Sequence, residues 1–118
     1  MKKIVLIIDD EVELCHLMQK YLVKRNFEVH YTITLIEGIQ KIEQLNPDIL
    51  FLDYNLPDGF GWDYVPALIK KYPHLRINLM SAFSAVKPEV SNHVDLNVLT
   101  KPITLRQIDQ YVGDKIIG

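Results

Sequence analysis

The sequence predicts an α/β fold, a doubly wound (βα)5 sandwich built on one five-stranded parallel sheet, and three observations carry that prediction. Apolar runs rich in β-branched residues, such as Ile4-Val5-Leu6-Ile7-Ile8 and Ile49-Leu50-Phe51-Leu52, are too short for ordinary helices and suit strands covered on both faces. Segments of helical periodicity alternate with these runs along the chain. The runs also end in charge: Asp9-Asp10 after the first, Asp53 after the third and Lys101-Pro102 after the last. In an open parallel sheet the ligand crevice lies outside the carboxyl ends of the strands, where these residues fall.

Strand one spans about Lys3 to Ile8. A helix follows from about Glu11 to Arg25, with Leu14, Cys15, Met18, Tyr21 and Leu22 on one face and Asn26 as its stop. Phe27 to Tyr31 is a short strand of alternating character. Leu35, Ile39, Ile42 and Leu45 repeat at helical spacing, and Asn46-Pro47 ends that helix because the residue before proline avoids helical geometry. Strand three is Asp48 to Asp53. Phe60 to Tyr72 is the next helix, with Pro66 predicting first turns that are irregular or late. Leu75 to Met80 is strand four. Ala82 to Asn97 must hold a loop, a helix and the start of strand five, and Pro88 predicts a short or distorted helix. Val94 to Leu99 is strand five. Thr104-Leu105-Arg106-Gln107 has capping-box spacing and opens a last helix through Leu105, Ile108, Val112 and Ile116.

Polarity hints at the strand order. Glu28 and His30 in strand two, and Asp95 and Asn97 in strand five, alternate with apolar residues as edge strands can, whereas strands one, three and four are more uniformly apolar. Edges at two and five agree with the flavodoxin-like order 2-1-3-4-5. Its switch point between strands one and three is where Asp9, Asp10 and Asp53 meet.

With 118 residues and no Gly/Ser-rich or proline-rich linker, the chain is expected to be a single domain over 1–118 that buries a core without disulfides. The lone Cys15, among Leu14, Leu17 and Met18, reads as a small buried hydrophobe. Thirteen basic against fifteen acidic residues give a net charge of −2 with no basic run, so neither nucleic acid nor an anionic membrane is an implied partner. The apolar stretch after Lys2-Lys3 is too short for a secretion signal, and nothing else is long enough to cross a membrane, so a cytoplasmic location is expected.

Three carboxylates and an ammonium at the ends of buried strands read as a metal and phosphoryl site, because clustered carboxylates without a cation cost stability. Each has a plainer reading alone. Asp10 with Glu13 has capping-box spacing, Asp53 could end a strand as a turn residue, and Lys101-Pro102 could be a strand exit. Gly59-Phe60-Gly61 lacks the third glycine of a dinucleotide fingerprint, Tyr64 standing there, and reads as a turn after Pro57-Asp58. The histidines His16, His30, His74 and His93 show no metal-ligand spacing. Trp62 and Tyr64 read as core or rim residues.

Four segments in order carry a resemblance: Ile8-Asp9-Asp10-Glu11, Asp53-Tyr54-Asn55-Leu56-Pro57-Asp58-Gly59, Ser81-Ala82 and Lys101-Pro102. They resemble the signature of response-regulator receiver domains of two-component signalling, over essentially the whole chain. The resemblance implies that Asp53 is the phosphoacceptor, a carboxylate nucleophile that forms an acyl phosphate. It implies Mg²⁺ held directly by Asp10 and Asp53, through water by Asp9, and by the Asn55 backbone carbonyl. Lys101 would pair with one phosphoryl oxygen, and the Ser81 hydroxyl with the Ala82 N–H would bind another. A cis Lys101–Pro102 bond is also implied. The implied partners are a sensor histidine kinase or histidine phosphotransfer protein as donor and a downstream protein as target, with no output module on the chain. Such a domain is not a conventional enzyme, since it catalyses only its own phosphorylation and dephosphorylation.

The chain departs from the family pattern at Val98, where many relatives carry an aromatic switch residue, and at Ser81 in place of the commoner threonine. The resemblance therefore does not carry over the coupled rearrangement of those two residues. The segment between Ser81 and Lys101 is short, and Pro88 and Asn92 weaken its helix. The face of the fourth helix, fifth strand and fifth helix, the candidate surface for output or a homodimer, is accordingly expected to be unusual. Tyr54 and Phe83 would flank the phosphoryl pocket and lengthen the life of the acyl phosphate. Two rivals remain open: a phosphorylation-independent binding module on the same fold, and an aspartyl phosphatase. The second usually needs another acid two residues past its nucleophile, where Glu11 follows Asp9, and commonly a cap segment that the sequence does not offer.

Overall fold

Alternating inward and outward side chains decide how the five core strands are covered. The computed structural model describes residues 1–83 and 95–113. Its elements are β1 (Ile4–Ile8), α1 (Val12–Val23), β2 (Glu28–Thr32), α2 (Leu35–Leu45), β3 (Ile49–Asp53), β4 (Asn55–Leu56), β5 (Gly59–Phe60), a 3-10 turn (Gly61–Tyr64), α3 (Val65–Lys71), β6 (Arg76–Ser81), β7 (Leu96–Thr100) and α4 (Leu105–Val112). The main sheet runs β2-β1-β3-β6-β7, all parallel. This is the flavodoxin-like order 2-1-3-4-5 once the short hairpin β4–β5 is set aside.

Leu6 and Ile8 of β1 and Leu50 and Leu52 of β3 point to one face, where Leu35 and Ile42 of α2 and Val65 and Leu68 of α3 cover them. Val5, Ile7, Ile49 and Phe51 point to the other, beneath Cys15, Met18 and Leu22 of α1 and Ile108 and Val112 of α4. Continuous apolar runs are thus what a strand buried on both sides requires. The register sets Ile8 beside Leu52, Asp53 beside Met80 and Ser81 beside Thr100. The strand ends that bear Asp9, Asp53, Ser81 and Lys101 are thereby brought to one rim.

Asn26 (φ 71°) and Asn46 (φ 47°) take the left-handed conformation that follows a helix, a role open to asparagine because its short polar side chain tolerates that geometry. Thr104 and Gln107 close both arms of the expected capping box. The helix expected over Phe60 to Tyr72 is shorter: a 3-10 turn precedes α3, which opens with Pro66 in its first turn, where a missing N–H costs no intrahelical bond. The sequence also gave no sign of β4 and β5, two residues each, paired antiparallel through Asn55 with Phe60 and Leu56 with Gly59. Gly59 sits at φ +152°, a conformation side-chain-bearing residues rarely adopt. Strand four proves less apolar than its pattern suggested, because Asn78 is fully buried within it. The helix expected between Ala82 and Asn97 with Pro88 and Asn92, the start of strand five at Val94, His93 and the end of the last helix at Ile116 lie outside the described residues. Among the described residues no helix is long and apolar enough to cross a membrane.

Candidate functional site

The chain leaves β1 at Asp9, whose N–H donates to Thr32 O of the neighbouring edge strand at 3.1 Å. Asp9 Oδ1 accepts from the Glu11 N–H at 2.8 Å, turning the chain into α1. Its Oδ2 is paired with Lys101 Nζ, 2.9 Å away. Asp9 is wholly buried and Asp53 nearly so. Asp53 ends β3, fixed by its neighbours: Tyr54 N–H donates to Met80 O (2.8 Å), Gly61 N–H to Tyr54 O (2.9 Å), and Trp62 Nε1 to Leu52 O (3.3 Å). A side chain at Gly61 would have its Cβ 2.4 Å from Asp53 O, so this close approach requires glycine.

Lys101 follows β7, with its N–H on Ser81 O at 2.7 Å and a cis bond to Pro102, as the resemblance implies. Its ammonium hydrogen-bonds Glu11 Oε1 and stands 3.3 Å from Asp53 Oδ1. Ser81, buried at the end of β6, accepts the Phe83 N–H on its hydroxyl at 3.2 Å, and Ala82 beside it is exposed. The Tyr54 ring meets Trp62, Phe83 and Phe60 at centroid distances of 5.0, 5.2 and 5.4 Å. Trp62 is thus core, its indole satisfied by a backbone carbonyl, while Tyr64 lies on the rim.

The carboxylates are held against their preference for water. Burial, then the charge of Asp9, pushes the Asp53 carboxyl up to about 6, with Lys101 opposing. Burial likewise raises Asp9, against the opposing bonds from Lys101 and the Glu11 N–H. Lys101 is held above its ordinary value: burial works against its charge, but the bonds to Glu11 and Asp9 and the charges of Asp9 and Asp53 outweigh it. Carboxylate oxygens of Asp9, Asp10 and Asp53 lie within 4.8 Å of one another. An all-oxygen acidic set, in which the buried Asp9 Oδ2 is met by the Lys101 ammonium, fits a hard divalent cation such as Mg²⁺. Cys15 donates its thiol to Asp9 O at 3.3 Å and is pushed up to about 12 by burial and by the Asp9 charge, so it is the inert hydrophobe its neighbours suggested.

Asp9, Asp10, Asp53 and Lys101 therefore meet as their strand-end positions predict, with Ser81 on the adjacent strand end and Asn55 opening β4 two residues beyond Asp53. The plainer reading of Asp10 as a helix cap does not hold. Glu11 occupies that position without a side-chain cap bond, and Asp10 is exposed at the pocket. Two residues escaped the sequence reading. Glu11 is a partner of Lys101, and Asp58, taken only for a turn residue, accepts from the N–H groups of Leu35 (2.7 Å) and Ile36 (3.0 Å) at the start of α2. Both partnerships join distant parts of the chain, which no local pattern reveals.

Comparison with known proteins agrees with this geometry. The family model for the response regulator receiver domain matches residues 5–113. The chemotaxis protein CheY of Thermotoga maritima is 31% identical over 83 residues, covering 70% of this chain and 69% of that protein. The regulatory protein LuxO of Vibrio cholerae is 28% identical over 111 residues, 92% of this chain but 24% of LuxO, so the chain spans about a quarter of that relative's length. The same fold occurs in the response regulator TrrA of Thermotoga maritima, solved in complex with Mg(2+)-BeF, with a TM-score of 0.79, 23% identity and coverage of 93% of this chain and 96% of that one. With a family match across nearly its whole length and the acidic pocket at the sheet's switch point, the chain belongs to the response regulator receiver domains.

Proposed function

We propose that Asp53 accepts a phosphoryl group in a Mg²⁺-dependent reaction and that the modified domain changes its affinity for a protein partner. The observation that carries this reading is the convergence of the buried Asp9 and Asp53 on Lys101, with Asp10 completing the carboxylate set. The donor is a phosphohistidine on a sensor histidine kinase or a histidine phosphotransfer protein. An Asp53 carboxylate oxygen attacks phosphorus, the P–O bond forms as the P–N bond breaks, and the imidazole leaves with the bonding pair and takes up a proton. Asp53 must be ionised to attack, and a carboxyl at about 6 is mostly ionised at neutral pH.

Asp10, Asp53 and the Asn55 carbonyl would hold Mg²⁺ directly and Asp9 through a water, as the oxygen-only set allows. The bound ion supplies neutralisation of charge on the transferring group, the main obstacle to attack by an anion. The Mg(2+)-BeF complex of TrrA, on the same fold, supports this assignment. Lys101 already faces Asp53 and would pair with a phosphoryl oxygen as a compact charge. The Ser81 hydroxyl accepts from Phe83 N–H, which leaves its own proton free to donate to another phosphoryl oxygen beside the Ala82 N–H.

Intact-protein mass after incubation with Mg²⁺ and acetyl phosphate tests the reading. A single phosphoryl adduct is expected in the wild type, absent without Mg²⁺ and absent in Asp53→Asn. No adduct from either acetyl phosphate or a histidine-phosphorylated donor, with Asp53→Asn binding a partner as well as the wild type, would turn the assignment to a binding module that does not use phosphorylation.

A further inference from the structure

We infer that Asp58 is a positioning residue for the metal pocket, anchoring through α2 the hairpin that carries Asn55 beside Asp53. The inference rests on the Mg²⁺ reading above. A hairpin with two residues per strand is not stable by its own ladder. Leu56 is buried and holds it from below. At its tip the Asp58 carboxylate takes both Leu35 N–H (2.7 Å) and Ile36 N–H (3.0 Å), groups some twenty residues earlier in the chain. These are the first two orphan donors of α2, at the positive end of its dipole.

The helix does not depend on Asp58 alone for capping. Thr34 Oγ1 accepts from Glu37 N–H at 3.3 Å, and Thr34 O takes the first intrahelical bond from Gly38 at 3.0 Å. The helix start is in turn tied to the pocket from the other side, since Thr32 O, three residues before Leu35, receives the Asp9 N–H. Asp9, Thr32, the start of α2, Asp58, the hairpin and Asp53 thus form a closed ring. A carbonyl ligand such as that of Asn55 has no rotamer to adjust, so its place is set by the backbone, and that backbone is held by Asp58. Removing an outer support of this kind typically weakens metal binding about 10- to 100-fold.

Calorimetric titration of the full chain with Mg²⁺ provides the test, on the wild type, Asp58→Ala, Asp58→Asn and Thr34→Ala. Asp58→Ala is expected to bind Mg²⁺ about tenfold more weakly. Asp58→Asn, which keeps one acceptor oxygen, is expected to fall between it and the wild type, and serves if the alanine variant does not fold. Thr34→Ala removes the helix's own cap without touching the hairpin and is expected to keep its affinity within about twofold, well short of the loss expected when an outer support is removed. Wild-type affinity in both Asp58 variants would overturn the inference while leaving the metal site intact. An equal loss in Thr34→Ala would overturn it too, by tracing the effect to the helix end. A wild type that binds no Mg²⁺ would instead sink the metal reading, and the inference with it.

Discussion

The ammonium of Lys101 stands 3.3 Å from Oδ1 of Asp53, across the ends of strands that β6 separates. It reaches there while also paired with Asp9 and bonded to Glu11, so one cation answers three carboxylates drawn from two other parts of the chain. The pocket keeps an excess of negative charge, but burial comes first in raising the carboxyls of Asp9 and Asp53, and the neighbouring carboxylates add to it.

Lys101→Met removes the positive charge that faces Asp53, the proposed acceptor. Asp53 then loses the group that holds its carboxyl down, and the phosphoryl oxygens lose a partner as the new bond forms. Loss of one such electrostatic contact costs on the order of 100-fold in rate. The adduct with acetyl phosphate should therefore form about that much more slowly, as followed by mass spectrometry over time.

Asp53→Asn should stabilise the metal-free protein. The Asp53 carboxyl is at about 6 in the fold against 3.8 ordinarily, so the folded state favours its protonated form. Its contribution to stability is whole below the ordinary value and is lost as pH rises through about 6. At pH 7 the neutral amide removes that penalty, worth roughly 1–3 kcal/mol. Urea midpoints at pH 7 should rise in the variant, the difference shrinking toward pH 4. Added Mg²⁺ should stabilise the wild type and not the variant.

Phe83→Ala should shorten the life of the acyl phosphate. Phe83 is half exposed, yet its ring packs edge-on against Tyr54, the residue directly after Asp53. If Asp53 is the acceptor, the two rings would screen one approach to it, and hydrolysis requires water to arrive there. Dephosphorylation followed after removal of the donor should be several-fold faster in the variant, and an unchanged lifetime would show that water reaches the phosphoryl group by another route.

The strands and their order were legible because each apolar run is buried on both sides and the two polar-alternating runs lie at the edges, β2 and β7. The candidate site was legible because Asp9, Asp53, Ser81 and Lys101 all fall at or one residue past a strand end. What escaped has partners far along the chain. Asn78 looks misplaced in a core strand until its amide is seen donating to Tyr111 O (3.3 Å) and accepting from Asn97 (3.1 Å). Arg76 beside it pairs with Asp95 at 2.8 Å and donates to Gly113 O at the end of α4. A buried polar residue with satisfied bonds carries no local periodic signal. The β4–β5 hairpin is simply too short to show one.

Gly61→Ala should damage both the fold and the pocket, because what the new methyl meets is backbone. Its Cβ would lie 2.4 Å from Asp53 O and 2.9 Å from Leu52 Cδ1. Leu52 could turn away, but the Asp53 carbonyl belongs to the end of β3, whose place is fixed by the Tyr54–Met80 and Trp62–Leu52 hydrogen bonds. Relief must come by shifting Asp53 or opening the turn that Gly61 N–H closes on Tyr54 O. Such overpacking costs about 1–3 kcal/mol, and here the strain falls on Asp53, the proposed acceptor. The urea midpoint and the yield of the phosphoryl adduct should fall together. A variant that loses stability but forms the adduct at the wild-type rate would show that the turn, not the acceptor, absorbs the displacement.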